Sequence, residues 1–523
     1  MRLKFAEFAE LKTVIVINLI LAVVALLKDI VLASYLGTQA QADAFWLAFF
    51  IPDTAANLLG GSITTACIPV FARLHAAEDD RMKNTVTLVT LCFALGTLGL
   101  YLGLFFTRHI VIRGLGAGLP RSGLDLCLDL FVIMLPLILA FPLISVGTAM
   151  LQVHHRFNLP ASAPVLFNVV LLSGVLYSYL RPIPIEQGVY LLAASVLTGT
   201  GLMMVLVWSG LRNNHLRIWR RLSLPQLKKS RRQAKEVIKV FFIYLTILLS
   251  LQAVYAVERY LASGLAEGSI AGLNYAFRIA QFPLWVFVAA VSTVAFPAMS
   301  RAIGQGRADE IKHTLSRALL QILIIVLPLT ACLFLLRVPV VTILFQRGSF
   351  DTGSVEITAG VLAGYALSIV WQGIALICQR AFLAIGQALP VFLSFLFFSS
   401  LNILFDFSLV RSIGLPGLGY GAAVCAFGNA LVLLYLLNRV LPLGIGNQAG
   451  RVFRILAANL LLLPVIYFFA RLWAWIGAAT AGLALKMGYA AAAAAVGLLA
   501  YWLSLRVCGA GKILESRVCQ EGR

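Results

Sequence analysis

Long apolar runs alternate with short polar segments along almost the whole chain, starting at Thr13. Each run approaches or exceeds the roughly 20 residues that an α-helix needs to cross a bilayer. Two of them, 44–72 and 269–300, are long enough to be tilted or kinked. The pattern predicts an all-α integral membrane protein with fourteen transmembrane helices, near 13–36, 44–72, 84–107, 124–153, 157–180, 187–211, 240–262, 269–300, 318–336, 354–379, 388–410, 414–438, 455–470 and 474–505.

A pattern of 22 residues occurs twice within these runs, at 48–69 and again 228 positions later at 276–297. A duplicated bundle with a cleft between its halves is a common plan of secondary transporters. An even number of spans in each copy gives both copies the same orientation in the membrane. The repeat therefore predicts two pseudo-symmetric six-helix lobes, with two extra C-terminal helices that have no counterpart in the repeat.

The polar break between spans six and seven marks the junction of the two copies. It holds ten basic residues and one acidic residue, Glu236. It is either a solvated linker that fixes the topology or a basic segment that lies on anionic lipid headgroups. The predicted division is an N-lobe at 1–211, the basic cytoplasmic linker at 212–239, a C-lobe at 240–440, spans 13 and 14 at 441–506, and a cytoplasmic tail at 507–523.

The chain is 61% hydrophobic and 12% charged, has a mean hydropathy of +0.94, and carries a net charge of +20. Such basicity would suit a nucleic-acid partner, but its distribution argues against one. If the N-terminus is cytoplasmic, 29 of the 41 Lys and Arg residues fall on the cytoplasmic side and 9 on the opposite side. This split follows the positive-inside rule, so the basicity encodes topology, with both termini cytoplasmic.

Signals for enzymatic or cofactor chemistry are missing from the sequence. The eight cysteines are scattered, without a CxxC spacing that would indicate zinc. No P-loop, GxSxG or HExxH motif occurs. We therefore expect a secondary transporter that needs no cofactor, rather than an enzyme or an ATP-driven pump.

Arg278 is the main candidate for a substrate contact, because ionisable groups at membrane depth are costly and usually face a cavity. Asn274 and Gln281 lie one turn to either side of it on the same helical face. In the alignment of the two copies, Phe50 is equivalent to Arg278 and Asp53 is equivalent to Gln281. A cation present in only one copy favours a ligand, and guanidinium suits phosphate. The alternative is an ion pair between Arg278 and a carboxylate.

Two further clusters of polar residues lie inside predicted spans. Lys28 and Asp29 are deep in span one; adjacent helical residues point about 100° apart, so we expect that they do not neutralise each other and that one faces the cleft. The alternative for Lys28 is snorkelling towards the interface. Asn402 and Asp406 stack on one face of span eleven, and with Glu258 of span seven they offer hard ligands for Na⁺, another hard cation or a proton. Packing without a ligand is the alternative, and the sequence does not show that Glu258 meets span eleven.

At these residues the chain resembles the MurJ/MviN lipid II flippases of the multidrug/oligosaccharidyl-lipid/polysaccharide exporter superfamily. The motifs that carry the resemblance are ADAFWLAFFIPD at 42–53, ERYLASGLAEGSIAGLNYAFRIAQFP at 258–283 and LFQRGSFD at 344–351. The resemblance implies two six-helix lobes, with the last two helices lining a groove for a polyprenyl tail. It also implies a flippase that moves lipid II from the cytoplasmic to the outer leaflet of the bacterial cytoplasmic membrane by cation-coupled alternating access.

The same resemblance assigns roles to individual residues. Arg278 takes the place of the cleft arginine of span eight, Lys28 that of a span-one arginine, and Asp43 that of the acidic residue opening span two. Glu258, where Asp is usual, joins Asn402 and Asp406 at a sodium site, so Na⁺ is the implied coupling ion. The predicted substrate-binding residues are Arg278, Lys28, Asp43, Gln281, Asn274 and Asp53, and the predicted cation ligands are Glu258, Asn402 and Asp406.

The sequence departs from the family at positions where further cleft arginines are usual, which are Ala22 and Ala56-Asn57 here. The less cationic cleft leaves another undecaprenyl-linked glycan open as the substrate. The competing functions are a cation-coupled multidrug exporter, a membrane-embedded glycosyl or prenyl transferase, and a membrane scaffold. The expected partners are a lipid-linked oligosaccharide, membrane lipids and cell-wall synthesis proteins, without nucleic acid, and the protein is expected to be a monomer.

Overall fold

The computed structural model describes residues 2–77, 81–181, 183–213, 224–305, 307–441, 445–476 and 482–510. Within these ranges every regular element is a helix, which confirms the predicted all-α membrane fold. In the part of the chain that the structure describes, thirteen segments are long and apolar enough to cross a membrane, judged by length and composition. The remaining predicted span, 240–262, lies within a helix that begins at Leu224 and ends at Ser263.

Packing divides the chain into two compact units, and unit 1 comprises Met1–Ala271 and Arg347–Phe350. The predicted lobes follow the sequence repeat instead, and that division stays a prediction. Most of the predicted linker, 214–223, lies outside the described residues, while 224–239 is helical. The helices of unit 1 are α1 (Arg2–Leu36), α2 (Ala40–Ala76), α3 (Arg81–Leu115), α4 (Arg121–Met134), α5 (Leu137–Val153), α6 (Asn158–Leu180), α7 (Ile185–Asn213) and α8 (Leu224–Ser263).

Unit 2 comprises Gly272–Gln346 and Asp351–Arg523. The first turn of its first helix belongs to unit 1, and the predicted tail beyond 510 lies outside the described residues. The remaining helices are α9 (Ser269–Pro283), a π-helical turn (Leu284–Val288), α10 (Ala289–Gly304), α11 (Ala308–Leu335), α12 (Arg337–Phe345), α13 (Thr352–Ala384), α14 (Ala388–Ile413), α15 (Pro416–Val440), α16 (Ile445–Trp475) and α17 (Leu483–Val507).

Prolines interrupt two of the predicted spans. The span predicted at 124–153 is divided into α4 and α5 at Pro136, which has no N–H to donate and crowds the residue before it. The span predicted at 269–300 changes from α-helix to a π-helical turn directly after Pro283. This interruption lies in one of the two spans that are long enough to be tilted or kinked, whereas the other, 44–72, lies within the continuous helix α2.

In unit 1, α2 packs against α4, α5 and α8, and α1 packs against α6. The segment 347–350 joins this unit through the backbone, because Ser349 N donates a 2.8 Å hydrogen bond to Ser34 O. Gly348 has a φ of +56°, and a Cβ there would stand 2.4 Å from Ser34 O. The glycine of the LFQRGSFD motif is therefore required by a left-handed turn pressed against the end of α1.

In unit 2, α13 packs against α11 and α15. Gly364 of α13 faces Gly419 of α15 so closely that a Cβ on Gly364 would lie 2.2 Å from Gly419 C. Paired small residues let membrane helices approach at the backbone. Asp351 begins α13 by accepting a hydrogen bond from Ser354 N, and this bond lowers the pKa of the Asp351 carboxyl. Unit 2 is thus built around a tightly packed α13–α15 pair that carries α14 on one side.

Candidate functional site

Arg278 lies in the middle of α9, within unit 2, and its side chain is half-buried. Asn274, one turn earlier, is buried. Gln281, one turn later, donates a 3.4 Å hydrogen bond from Nε2 to Gln372 Oε1 of α13, and Gln372 Nε2 donates to Ser368 Oγ at 2.8 Å. This amide chain orients the polar face of α9 on which Arg278 lies.

Lys28 and Asp29 form an ion pair in α1, with 3.1 Å between Lys28 Nζ and Asp29 Oδ1. Both residues are buried, at 5% and 6% exposure. The expectation that these neighbours do not neutralise each other is therefore wrong. The Cα–Cβ bonds do diverge, but the four-carbon lysine stem swings the ammonium back to the adjacent carboxylate, and burial strengthens the attraction.

Asp43, near the start of α2, binds the backbone of the segment that opens α9. Its two carboxylate oxygens accept hydrogen bonds from Gly268 N at 2.8 Å and from Ala271 N at 2.7 Å. A carboxylate is favourable there because the first amides of a helix lack intrahelical acceptors. Glu267 Oε1 accepts a hydrogen bond from Ala40 N in return, at 2.7 Å. Both oxygens of Asp43 are thus engaged by backbone, and its contact with substrate stays a prediction.

Arg259 is a functional candidate that the sequence analysis missed. Its position near the end of span seven placed it among the basic residues outside the membrane, but it is buried at 8% exposure. Its guanidinium lies 4.3 Å from the ring centroid of Phe50, and its Nη1 donates to Tyr255 O at 3.0 Å. Phe50 is the repeat equivalent of Arg278. In unit 1 a cation therefore contacts the residue at this repeat position, and it comes from α8 rather than from α2 itself.

Asp53 lies one turn after Phe50 on α2 and is half-buried. The next residue, Thr54, donates a 3.3 Å hydrogen bond from Oγ1 to Gln252 Oε1 of α8. The polar stretch of α2 therefore lies beside the same helix that supplies Arg259. Among the predicted substrate-binding residues, unit 1 holds Lys28, Asp43 and Asp53, while unit 2 holds Arg278, Gln281 and Asn274.

Asn402 and Asp406 of α14 point at one spot on α15, as their spacing predicts. A Cβ on Gly421 would lie 2.7 Å from Asp406 Oδ1 and 3.3 Å from Asn402 Oδ1. Asp406 is fully buried, and Asn402 Oδ1 accepts no hydrogen bond from the part of the chain that the structure describes. Two buried hard oxygens, held by a helix pair that lacks a side chain between them, fit a hard cation.

Glu258, the third predicted cation ligand, belongs to unit 1, whereas Asn402 and Asp406 belong to unit 2. Glu258 is buried on α8, at 2% exposure, directly before Arg259. Its predicted contribution to the cation site stays a prediction.

Comparison with known proteins places the chain in a family. The family model for the lipid II flippase MurJ matches residues 32–490. A lipid II flippase MurJ of Burkholderia cenocepacia is 26% identical over 442 residues, covering 83% of this chain and 84% of that protein. A probable lipid II flippase MurJ of Bdellovibrio bacteriovorus is 27% identical over 429 residues, covering 80% of each.

Solved structures show the same fold. A lipid II flippase MurJ in an inward closed conformation matches with a TM-score of 0.78 and 21% identity, covering 94% of this chain and 98% of that chain. An inward-facing multidrug transporter of the MATE family, in the MOP superfamily, matches with a TM-score of 0.70 and 16% identity, covering 80% of this chain and 94% of its own. With a family model that spans most of its length, this multi-pass membrane protein belongs to the lipid II flippase MurJ family.

Proposed function

We propose that the protein translocates lipid II from the cytoplasmic to the outer leaflet of the bacterial cytoplasmic membrane. The observation that carries the proposal is the family match over residues 32–490. The polyprenyl tail stays in the bilayer while the diphosphate and its saccharide cross by alternating access. The protein acts as a transporter and carries out no chemical conversion of the lipid.

The main attraction for the diphosphate comes from Arg278. Burial at membrane depth is costly for a cation, so an arginine kept in one half of a repeated sequence supports a ligand role. Its planar fork donates two parallel hydrogen bonds to a phosphate group. The half-buried side chain keeps part of its surface open to a headgroup, and the Gln281–Gln372 hydrogen bond supports the turn that follows it.

Complementation of a strain depleted of its own lipid II flippase tests the function and the residue together. The unmodified chain is expected to restore growth and to deliver lipid II to the outer leaflet. Arg278→Ala is expected to abolish both, and Arg278→Lys to retain little, because lysine lacks the bidentate fork. Arg411→Ala removes the same charge from an exposed site at the end of α14 and is the matched control.

Each outcome of this experiment distinguishes one part of the proposal. Failure of the unmodified, membrane-inserted chain to move lipid II would reject the function and favour another undecaprenyl-linked glycan. Full transport by Arg278→Ala would reject only the role of Arg278 in binding the diphosphate. A multidrug exporter is less favoured, because MATE structures cover 80% to 84% of this chain, against 94% for the flippase.

Na⁺ is the cation that couples to transport in this proposal. Support comes from the buried oxygens of Asn402 and Asp406, which face one spot beside Gly421. Sodium prefers such hard oxygen ligands. The ion would neutralise the carboxylate, so binding would stabilise the folded protein increasingly as the free cation concentration rises.

Thermal unfolding of the purified protein in Na⁺ and in K⁺ tests the coupling ion. We expect a higher Tm in Na⁺, and we expect this difference to disappear in Asp406→Asn and in Asn402→Ala. Asn429→Ala is the control, because Asn429 Oδ1 accepts a hydrogen bond from Ser394 Oγ and has no predicted role in cation binding. Equal Tm values for the unmodified chain in both salts would exclude Na⁺ binding at this site.

A further inference from the structure

A cavity of about 640 Å³ lies within unit 1, and none of the predicted substrate or cation residues lines it. It is open to the surface and lined by α3, α4 and α7, at the end of the unit where α3 ends and α4 begins. Arg108 lies seven residues before the end of α3, which is about 10 Å along the helix axis. At that depth the cavity is close to the level of lipid headgroups rather than the bilayer centre.

The polar lining carries charges of both signs. It consists of Arg108 and His109 from α3, Asp125 and Asp129 from α4, and Tyr190 from α7. The two aspartates are four residues apart and share one helical face. With histidine neutral, one guanidinium faces two carboxylates, so a ligand of a single sign would be repelled by part of the lining.

Hydrogen bonds fix the groups of opposite charge in place. Tyr190 donates its hydroxyl to Asp129 Oδ2 at 3.0 Å. Arg108 Nη1 donates to Phe105 O at 2.8 Å, and its guanidinium lies 4.7 Å from the Phe105 ring centroid. The carbonyl takes one of the five N–H donors of the guanidinium. The remaining donors can serve an anionic group in the cavity.

An apolar strip lies on α3 in the turns before Arg108. Leu98, Leu102 and Phe106 follow each other at four-residue intervals and are 41%, 42% and 75% exposed. Residues with this spacing stack on one face of a helix. In a membrane-spanning helix such a face contacts acyl chains, so the helix that carries Arg108 also offers a surface suited to a lipid tail.

We propose that this cavity binds the headgroup of an amine-bearing zwitterionic phospholipid, of the phosphatidylethanolamine class. Its phosphate pairs with Arg108, its ammonium group lies between Asp125 and Asp129, and its chains follow the apolar strip. A primary ammonium has three N–H donors for the two carboxylates. A trimethylated ammonium has none, and a phosphatidylglycerol headgroup offers no cation.

Lipid retention by the unmodified full-length chain gives the first test. The protein is purified in detergent, incubated with phosphatidylethanolamine, phosphatidylcholine or phosphatidylglycerol of identical chains, and analysed by native mass spectrometry. We expect phosphatidylethanolamine to be retained about tenfold better than the other two, because only its ammonium group can donate charge-assisted hydrogen bonds to the two carboxylates. Equal retention of the amine and its trimethylated form, or preference for phosphatidylglycerol, would overturn the proposal.

Variants test the two halves of the site separately. Asp125→Asn combined with Asp129→Asn is expected to lower phosphatidylethanolamine retention about tenfold, to the phosphatidylcholine level. Glu186→Gln, which neutralises an exposed carboxylate in the first turn of α7, is the control and should leave the preference intact.

Arg108→Gln should weaken both zwitterionic lipids alike, because they share the phosphate, whereas Arg113→Gln at the exposed end of α3 should not. An unchanged lipid preference in the double aspartate variant would overturn the assignment. The measurement reports binding rather than translocation, so its failure is distinct from failure of the proposed flippase activity.

Discussion

The long side chain of Lys28 reaches the neighbouring Asp29 carboxylate, and this contact sets the net charge of the pair on α1. Because Lys28 Nζ lies 3.1 Å from Asp29 Oδ1, the two buried charges largely cancel. A diphosphate approaching Lys28 therefore meets a paired ammonium, which attracts it less than an isolated one would. We therefore expect Arg278 to contribute most to binding the headgroup, and Lys28 to contribute only as far as its pair with Asp29 can be exchanged for a pair with phosphate.

Substitutions at this pair separate charge from stability. Lys28→Arg should be tolerated, because arginine keeps the pair and is the residue usual in the family. Lys28→Met should destabilise the protein by about 3–5 kcal/mol, since it removes the ammonium beside a buried carboxylate. Lys28→Met with Asp29→Asn should recover most of the Tm without recovering flipping. Restoration of both Tm and flipping by the double variant would show that Lys28 has no part in transport.

At the scale of elements, α13 and α15 depend on having no side chain at their closest approach. Gly364→Ala would place its Cβ 2.2 Å from Gly419 C, so the helices must separate. We expect a loss of about 1–3 kcal/mol, as for other overpacked sites, seen as a lower Tm in detergent. Gly497→Ala in α17, where a Cβ meets none of the described atoms within 4 Å, is the control. An unchanged Tm in Gly364→Ala would show that the pair is not tightly packed.

The elements were predictable from the sequence where hydropathy alone decides them. Within the described residues every predicted span corresponds to helix, since a run such as 388–410 has no alternative to helix inside lipid. The separate helix α12 (Arg337–Phe345) was not predicted, because its apolar stretch of nine residues is too short for a span. The start of α8 at Leu224, inside the predicted linker, was also missed, since a polar helix carries no hydropathy signal.

At the scale of the whole molecule, the sequence indicated which side chains share a helical face but not which helices pack together. Helical spacing was enough to place Asn402 and Asp406 on one face, and the Gly421 contact confirms it. The position of Arg259 over Phe50 was not predictable, because it depends on which helices pack together. Such partners follow from tertiary packing, which the spacing within a single span does not encode.

The charge distribution also predicts the orientation of the whole molecule in the membrane. Of the 41 Lys and Arg residues, 29 lie on the same side as the linker. The opposite orientation would place these 29 residues outside the cell, against the positive-inside rule, so the linker side should face the cytoplasm. In a background lacking the eight native cysteines, Arg121→Cys at the start of α4 should react with a membrane-impermeant maleimide in intact cells. Arg231→Cys on α8, which is also exposed, should react only after the membrane is opened. The reverse pattern would invert the topology, and with it the direction proposed for lipid II, because the headgroup must enter from the side on which it is made.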